Sequence, residues 1–196
     1  MTDENARDYI VHQVETVLDD WFNVDAATVS FKAPDGAVVG PKRVLCMERG
    51  ESVAALVHDP KQDAFVFVKQ FRYPSLAHSD GWLVELVAGG IDPGDAGPET
   101  ATAREMVEEV GLSPQRLTPL SAFFVSPGGT SEYTYLYYAE VDLTDRAGDG
   151  GDIDQEDEHI EVLVWSRDQV RRAFADGTFK EARLLLAVQW ALNGGC

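Results

Sequence analysis

The sequence predicts an α/β (α+β) fold, in which a mixed sheet flanked by helices follows a small antiparallel β-meander. Residues 9–49 alternate short apolar runs with turn residues, the pattern of paired strands. Residues 89–112 run from a pair of glycines into a helix crowded with carboxylates. The remaining strands and helices do not alternate strictly, so a regular βαβ array is excluded.

The meander strands are read at 9–18 (YIVHQVETVL), 22–31 (FNVDAATVSF) and 41–50 (PKRVLCMERG), with a break at 33–36. A stretch of this size cannot bury a sizeable core alone. The chain is therefore divided into an N-terminal meander, 1–49, and a main domain, 50–196, joined at the turn-like Glu48, Arg49 and Gly50. In the main domain SVAALVHD and AFVFVKQFR are strands separated by a turn at 60–63, and WLVELVAGG leads into the acidic helix. Further strands are expected at 120–125 and 133–141, and at 160–165 (IEVLVW) after the Gly- and Asp-rich stretch 147–158. Ser166 and Gln169 form a capping box for a helix through Ala175, and 181–192 reads as a last helix.

A chain of 196 residues with a net charge of -18 disfavours nucleic acid and anionic membranes as partners, because both reward Lys and Arg. A phosphate-bearing ligand would meet the same repulsion, which points to a divalent cation in its site. The N-terminus MTDENARDYI is acidic and polar, unlike a secretion leader, and no apolar run approaches a membrane span. Cys46 and Cys196 are the only cysteines, which fits reduced thiols and a cytoplasmic setting.

The chemistry concentrates in GGIDPGDAGPETATAREMVEEVGL, residues 89–112. Glu105 stands beside both Glu108 and Glu109 on one helical face, and like charges at that spacing destabilise a helix unless something neutralises them. Oxygen-only clusters of this kind suit Mg²⁺ or Mn²⁺. Pro98 is well placed at the first helical position and Gly111 at the end. The stretch resembles the Nudix box, G-x5-E-x7-R-E-U-x-E-E-x-G-U with U aliphatic, and matches it from Arg104 to Leu112. The first half departs: Asp95 stands where the box has Glu, and eight residues rather than seven separate it from Arg104. The extra residue is placed in the turn of Asp95, Ala96 and Gly97, and support for Arg104 is expected from Asp95 or Glu99.

The resemblance extends to a Gln70-Phe71-Arg72 strand end, to SPGGTSE from Ser126 to Glu132, and to an acidic loop of Glu156, Asp157 and Glu158. These are features of the ADP-ribose and nucleotide-sugar diphosphatases of the Nudix superfamily. The resemblance implies an α/β/α sandwich, and a metal-dependent hydrolase that splits ADP-ribose into AMP and ribose 5-phosphate. Carried over by position, it implies Glu105, Glu109, Glu158 and the Ala88 carbonyl as metal ligands. It places the general base at Glu156, with Glu105, Glu108 and Glu109 as alternatives. Substrate contacts fall on Arg72, Gly90, Ser126, Gly128 and Glu132, with Trp21 and Phe22 as the base-stacking pair and Arg43 beside the position of a further arginine. It also implies a homodimer whose meander is exchanged between subunits. A hydrolase of another nucleotide sugar such as GDP-mannose, and a non-catalytic ADP-ribose sensor, are the competing readings. His12, His58, His78 and His159 lack metal-ligand spacing and are read as structural or surface residues, and no P-loop or dinucleotide fingerprint occurs.

Overall fold

The computed structural model describes residues 8–147 and 159–196, and the chain forms two units. The first comprises Met1–Gly50 and Ser126–Glu132, the second Glu51–Val125 and Tyr133–Cys196. Among the described residues no helix is long and apolar enough to cross a membrane.

In the first unit β1 (Tyr9–Asp19), β2 (Asn23–Lys32) and β3 (Val38–Glu48) form an antiparallel sheet in chain order. The third strand starts earlier than the sequence suggested, because Val38 and Val39 pair with Lys32 and Phe31 beyond a register shift. Cross-strand side chains reinforce the first pair: Thr16 Oγ1 donates to Asp25 Oδ1 at 2.7 Å, and His12 Nε2 meets Ser30 Oγ at 2.8 Å. The segment Ser126–Glu132 is bound to the end of β3. Met47 N–H donates to Gly129 O at 2.9 Å, Ser131 N–H to Met47 O at 3.0 Å, and Arg49 N–H to Ser131 Oγ at 2.9 Å.

Among the described residues the second unit has seven strands: β4 (Glu51–Asp59), β5 (Ala64–Phe71), β6 (Trp82–Glu85), β7 (Val87–Gly90), β8 (Arg116–Phe124), β9 (Tyr133–Glu140) and β10 (Glu161–Ser166). The path is β10-β5-β4-β9-β8, with β6 on β5 and β7 on β4, and among the described residues only the β4–β9 pair of this sheet is parallel. It is covered by the helices α1 (Pro98–Val110), α2 (Arg167–Asp176) and α3 (Ala182–Trp190). Successive strand residues point to opposite faces. Ala55, Val57, Val66, Val68 and Val87 pack with Met106 and Val110 of α1, whereas Leu56, Phe65, Phe67 and Leu86 pack with Val170 of α2 and Leu184 and Val188 of α3. That division is the expected α/β/α sandwich, and each fully buried Val, Leu or Met contributes about 2 kcal/mol of apolar burial.

One departure from the sequence reading places the site. The run 82–90, read as one strand, changes partner at Leu86. β4 and β5 pair only from Val57 to Asp59 and from Ala64 to Val66. Beyond that, β6 pairs with β5 from Val68 to Phe71, and β7 pairs with β4 from Ser52 to Ala55. Facing still alternates, since Val84, Leu86 and Ala88 pack toward α2 and α3 and Val87 toward α1. Glu85 and Gly89 therefore share the α1 side with Val87.

Helix ends follow local chemistry. Pro98 opens α1, and Gly111 closes it at φ 68°, a left-handed conformation that glycine adopts at least cost. Ser166 and Gln169 make the reciprocal capping box of α2. The last helix is shorter than read: α3 ends at Trp190, and Ala191–Gly195 form a wider turn. β8 begins at Arg116, earlier than expected, because Pro119 is tolerated at a register shift in a strand that ends the sheet path.

At the end of β4 the buried Asp59 fastens the chain ahead of residue 148. Its carboxylate accepts from Lys61 N–H at 2.8 Å, Gln62 N–H at 3.1 Å and Leu143 N–H at 3.0 Å. Burial alone would raise its pKa, but the backbone donors outweigh it and the net shift is downward. A depressed carboxylate pKa adds stability above the unfolded value, about 3.9, and loses it as pH falls through the folded value. Asp59→Ala is therefore expected to lower the unfolding free energy by about 3 kcal/mol at neutral pH. In urea melts the gap between variant and wild type should narrow below about pH 4; a gap independent of pH would exclude the ionised carboxylate as its cause.

Candidate active site

The strand residues that face α1 create the site. Ala88 N–H donates to Glu109 Oε2 at 3.2 Å, and Gly90 O accepts from Arg104 Nη2 at 2.9 Å. In an extended strand the N–H and C=O of one residue point to the same side, and residues two apart agree. The Ala88 carbonyl therefore lies on the same edge of β7, toward α1. Between them, a Cβ on Gly89 would overlap the Glu105 carboxylate. Gly89 has no left-handed φ, so close approach rather than backbone conformation requires the glycine.

Glu105 and Glu109 are thus seated against consecutive residues of one strand. Glu109 lies on the buried face of α1 with Met106 and Val110, a costly place for a carboxylate without compensating partners. Glu108 is more open, at 33% side-chain exposure, and accepts from Arg104 Nη1 at 2.8 Å. Among the described residues no three His, Cys, Asp or Glu side chains are gathered to hold a metal ion. Glu156 and Glu158, on which the resemblance places the base and a ligand, lie outside the described residues.

Arg104 neutralises much of the acidic turn. Its Nη1 donates to Glu105 Oε1 and Glu108 Oε2, both at 2.8 Å, and its Nη2 to Asp95 Oδ2 at 3.1 Å. Asp95 thus takes the supporting position expected of Asp95 or Glu99, and the longer turn brings it there with 6% side-chain exposure. Burial would lower the Arg104 pKa, but the surrounding carboxylates raise it further, so the guanidinium stays charged. The same contact holds the Asp95 pKa below its usual value, with the Asp92 N–H adding to it.

The other candidates separate by unit. Arg72, after β5, donates from Nη2 to Glu85 Oε2 at 2.9 Å and from Nε to both Glu85 oxygens at 3.2 Å. Glu85, which the sequence reading did not single out, is 4% exposed. The only signal for it was one acid within the apolar run WLVELV. In the first unit Trp21 is 86% exposed in the β1–β2 turn beside the less exposed Phe22, and Arg43 lies 3.9 Å from Glu15. Ser126 O accepts from Gly129 and Thr130 N–H at 3.1 Å, and Glu132 N–H donates to Thr130 Oγ1 at 3.2 Å. A Cβ on Gly128 would meet nothing within 4 Å. His58 is far from ligand duty: its ring nitrogens meet Tyr138 OH at 2.8 Å and Asp63 Oδ1 at 3.2 Å in a buried network.

A NUDIX domain model matches residues 48–186. The chain belongs to the Nudix family. Its relatives include the ADP-ribose pyrophosphatase of Escherichia coli K12, 35% identical over 177 residues that cover 90% of this chain and 84% of that protein. The GDP-mannose pyrophosphatase of Klebsiella pneumoniae is 31% identical over 179 residues, covering 90% and 88%. Among solved structures, an ADP compounds hydrolase superposes with a TM-score of 0.71 over 97% of this chain and 96% of that one. At 20% identity that likeness shows the fold alone.

The seat of Glu105 yields a direct test. Gly89→Ala is expected to leave the thermal midpoint within a few degrees of wild type while lowering kcat/KM about 100-fold, through displacement of one carboxylate. Wild-type turnover in that variant would show that the close approach of Glu105 to β7 has no catalytic consequence.

Proposed function

We propose that this chain is a divalent-metal-dependent hydrolase that splits the pyrophosphate bond of ADP-ribose, giving AMP and ribose 5-phosphate. The observation that carries the reading is the seating of Glu105 on Gly89 and Glu109 on Ala88 in a Nudix chain. The ADP-ribose pyrophosphatase relative supports the choice of substrate. Hydrolases of this family generally use a divalent metal. The residues present fit one, because two carboxylates of α1 lie against the adjoining positions Ala88 and Gly89 of β7, and they and the Ala88 carbonyl are hard oxygen donors. We assign these three and Glu158 as ligands, of Mg²⁺ first and Mn²⁺ second. When bound, the ion supplies charge neutralisation on the phosphate oxygens and a more acidic water.

The remaining roles belong to the chain. Glu156 is assigned as the proton acceptor, with Glu108 as the second candidate, since a carboxylate can serve when its surroundings tune its pKa. Arg72 is assigned to a substrate phosphate, for which a planar guanidinium is suited. Gly90, Ser126, Gly128 and Glu132 are assigned to backbone and sugar contacts. Glu109→Gln is expected to lower kcat/KM at least about 100-fold, and Glu156→Gln to lower kcat with KM nearly unchanged. Assayed on ADP-ribose, GDP-mannose and ADP-glucose with Mg²⁺, wild type should prefer ADP-ribose. Preference for GDP-mannose would favour the reading that follows the other relative, and binding without turnover would make the chain a sensor.

We also infer a homodimer with exchanged meanders. β1 is exposed along its whole length, and Tyr9, Ile10, Val14 and Leu18 are among its exposed apolar residues. Exposed apolar residues on both faces of one strand favour a partner surface, and an isologous contact would cover them in both copies at once. Trp21, Phe22 and Arg43 are assigned to the nucleobase and ribose of the substrate held by the second copy. Trp21→Ala is then expected to raise KM about tenfold with kcat retained, and light scattering to return twice the chain mass. A fully active monomer would rule the exchange out.

A further inference from the structure

Alternation in the strands places Arg72 and its partner on the same sheet face as the acidic helix. Val66 and Val68 of β5 pack against α1, so Gln70 and Arg72, at the following alternate positions, continue toward that face. Val68 pairs directly with Glu85, which shares the α1 side with Val87 and Gly89. Glu85 thus stands four residues before the glycine that seats Glu105, about 13 Å along one strand run.

The pair itself is asymmetric. The Glu85 side chain is 5% exposed and that of Arg72 39% exposed, so the carboxylate is buried and the guanidinium reaches solvent. Both the Nε and Nη2 donors lie on Glu85. A planar group held along one edge by two hydrogen bonds has its second edge, Nη1 with the outer Nη2 hydrogen, aimed in a fixed direction. Bonds to a buried carboxylate restrict the rotamers of the arginine before any ligand arrives, so less freedom is lost on binding. Glu85 is in turn held by the β5–β6 ladder at the last residue before the run changes partner.

We propose that Glu85 is a positioning residue, which orients Arg72 toward a phosphate of the substrate without touching the substrate itself. This rests on the assignment of Arg72 to a substrate phosphate. A carboxylate near the site of a dianionic ligand would be unfavourable alone. Its presence there is accounted for by the order it imposes on the guanidinium, with the charge of the pair cancelled.

Steady-state kinetics on ADP-ribose with Mg²⁺ test the proposal through Arg72→Ala, Glu85→Gln and the double variant. Arg72→Ala should raise KM about 30-fold and Glu85→Gln about tenfold, each with kcat within about twofold of wild type. The double variant should be no worse than Arg72→Ala, and should regain part of its KM because a buried acid without its arginine is removed. A normal KM in Arg72→Ala overturns the phosphate assignment itself. A raised KM there, together with a normal KM in Glu85→Gln or with effects that multiply in the double variant, overturns the positioning role alone. Glu85→Asp keeps the charge and withdraws it by one methylene, so the proposal stays testable if the glutamine variant does not fold. Its KM should rise about threefold, and an unchanged KM would count against the proposal.

Discussion

Backbone hydrogen bonding at a divergence of two strands governs the arrangement of the second unit. β4 and β5 begin side by side and then separate, and strands buried on both faces cannot leave their N–H and C=O groups unpaired. The run 82–90 meets both demands by bonding first to β5 and then to β4. Because it serves two strands in succession, it carries Glu85 beside β5 and Gly89 beside β4 at a spacing that only the covalent chain sets. A one-residue slip would turn Glu85 and Gly89 away from α1 and bring Ala88 or Gly90 into the place of the glycine that seats Glu105.

Charge is handled as economically as backbone polarity. One guanidinium, Arg104, bonds Asp95, Glu105, Glu108 and the Gly90 carbonyl, so it links the turn before α1, the helix and the strand edge. A lysine could not reproduce this, since its ammonium has three donors around one point while the acceptors lie on separate sides. The turn of Asp95, Ala96 and Gly97 absorbs an extra residue and the shorter acid still arrives, because the constraint is the place of a carboxylate beside Arg104 rather than the number of residues before it.

Much of this was legible in the sequence where local chemistry decides. Pro98, Gly111 and the Ser166–Gln169 box bound their helices as read, because caps act within one turn. The sandwich was legible too, from apolar runs in β4 and β5 and from the likeness of Arg104 to Leu112 to the Nudix box. The partner change at Leu86 was not, because it answers to strands remote in the chain. Nor was Glu85, whose partner lies thirteen residues earlier, just after β5. Pro119 hid the start of β8, since only its place at the end of the sheet path makes a missing donor harmless. The choice between Asp95 and Glu99 as support for Arg104 needed distances. Glu156 and Glu158 lie outside the described residues, so their roles rest on resemblance.

The backbone bonds between Ser126–Glu132 and the end of β3 bear on how this architecture can be inherited. A unit assembled from two separate stretches of chain cannot be gained, lost or grafted by one crossover. Any recombination joint placed near Gly50 would deliver a meander whose last strand lacks the loop it bonds, and leave behind a loop whose backbone donors and acceptors are unmet. Meander and loop are bound to change together, so variation in β3 and variation in the loop that follows β8 should travel as one heritable block.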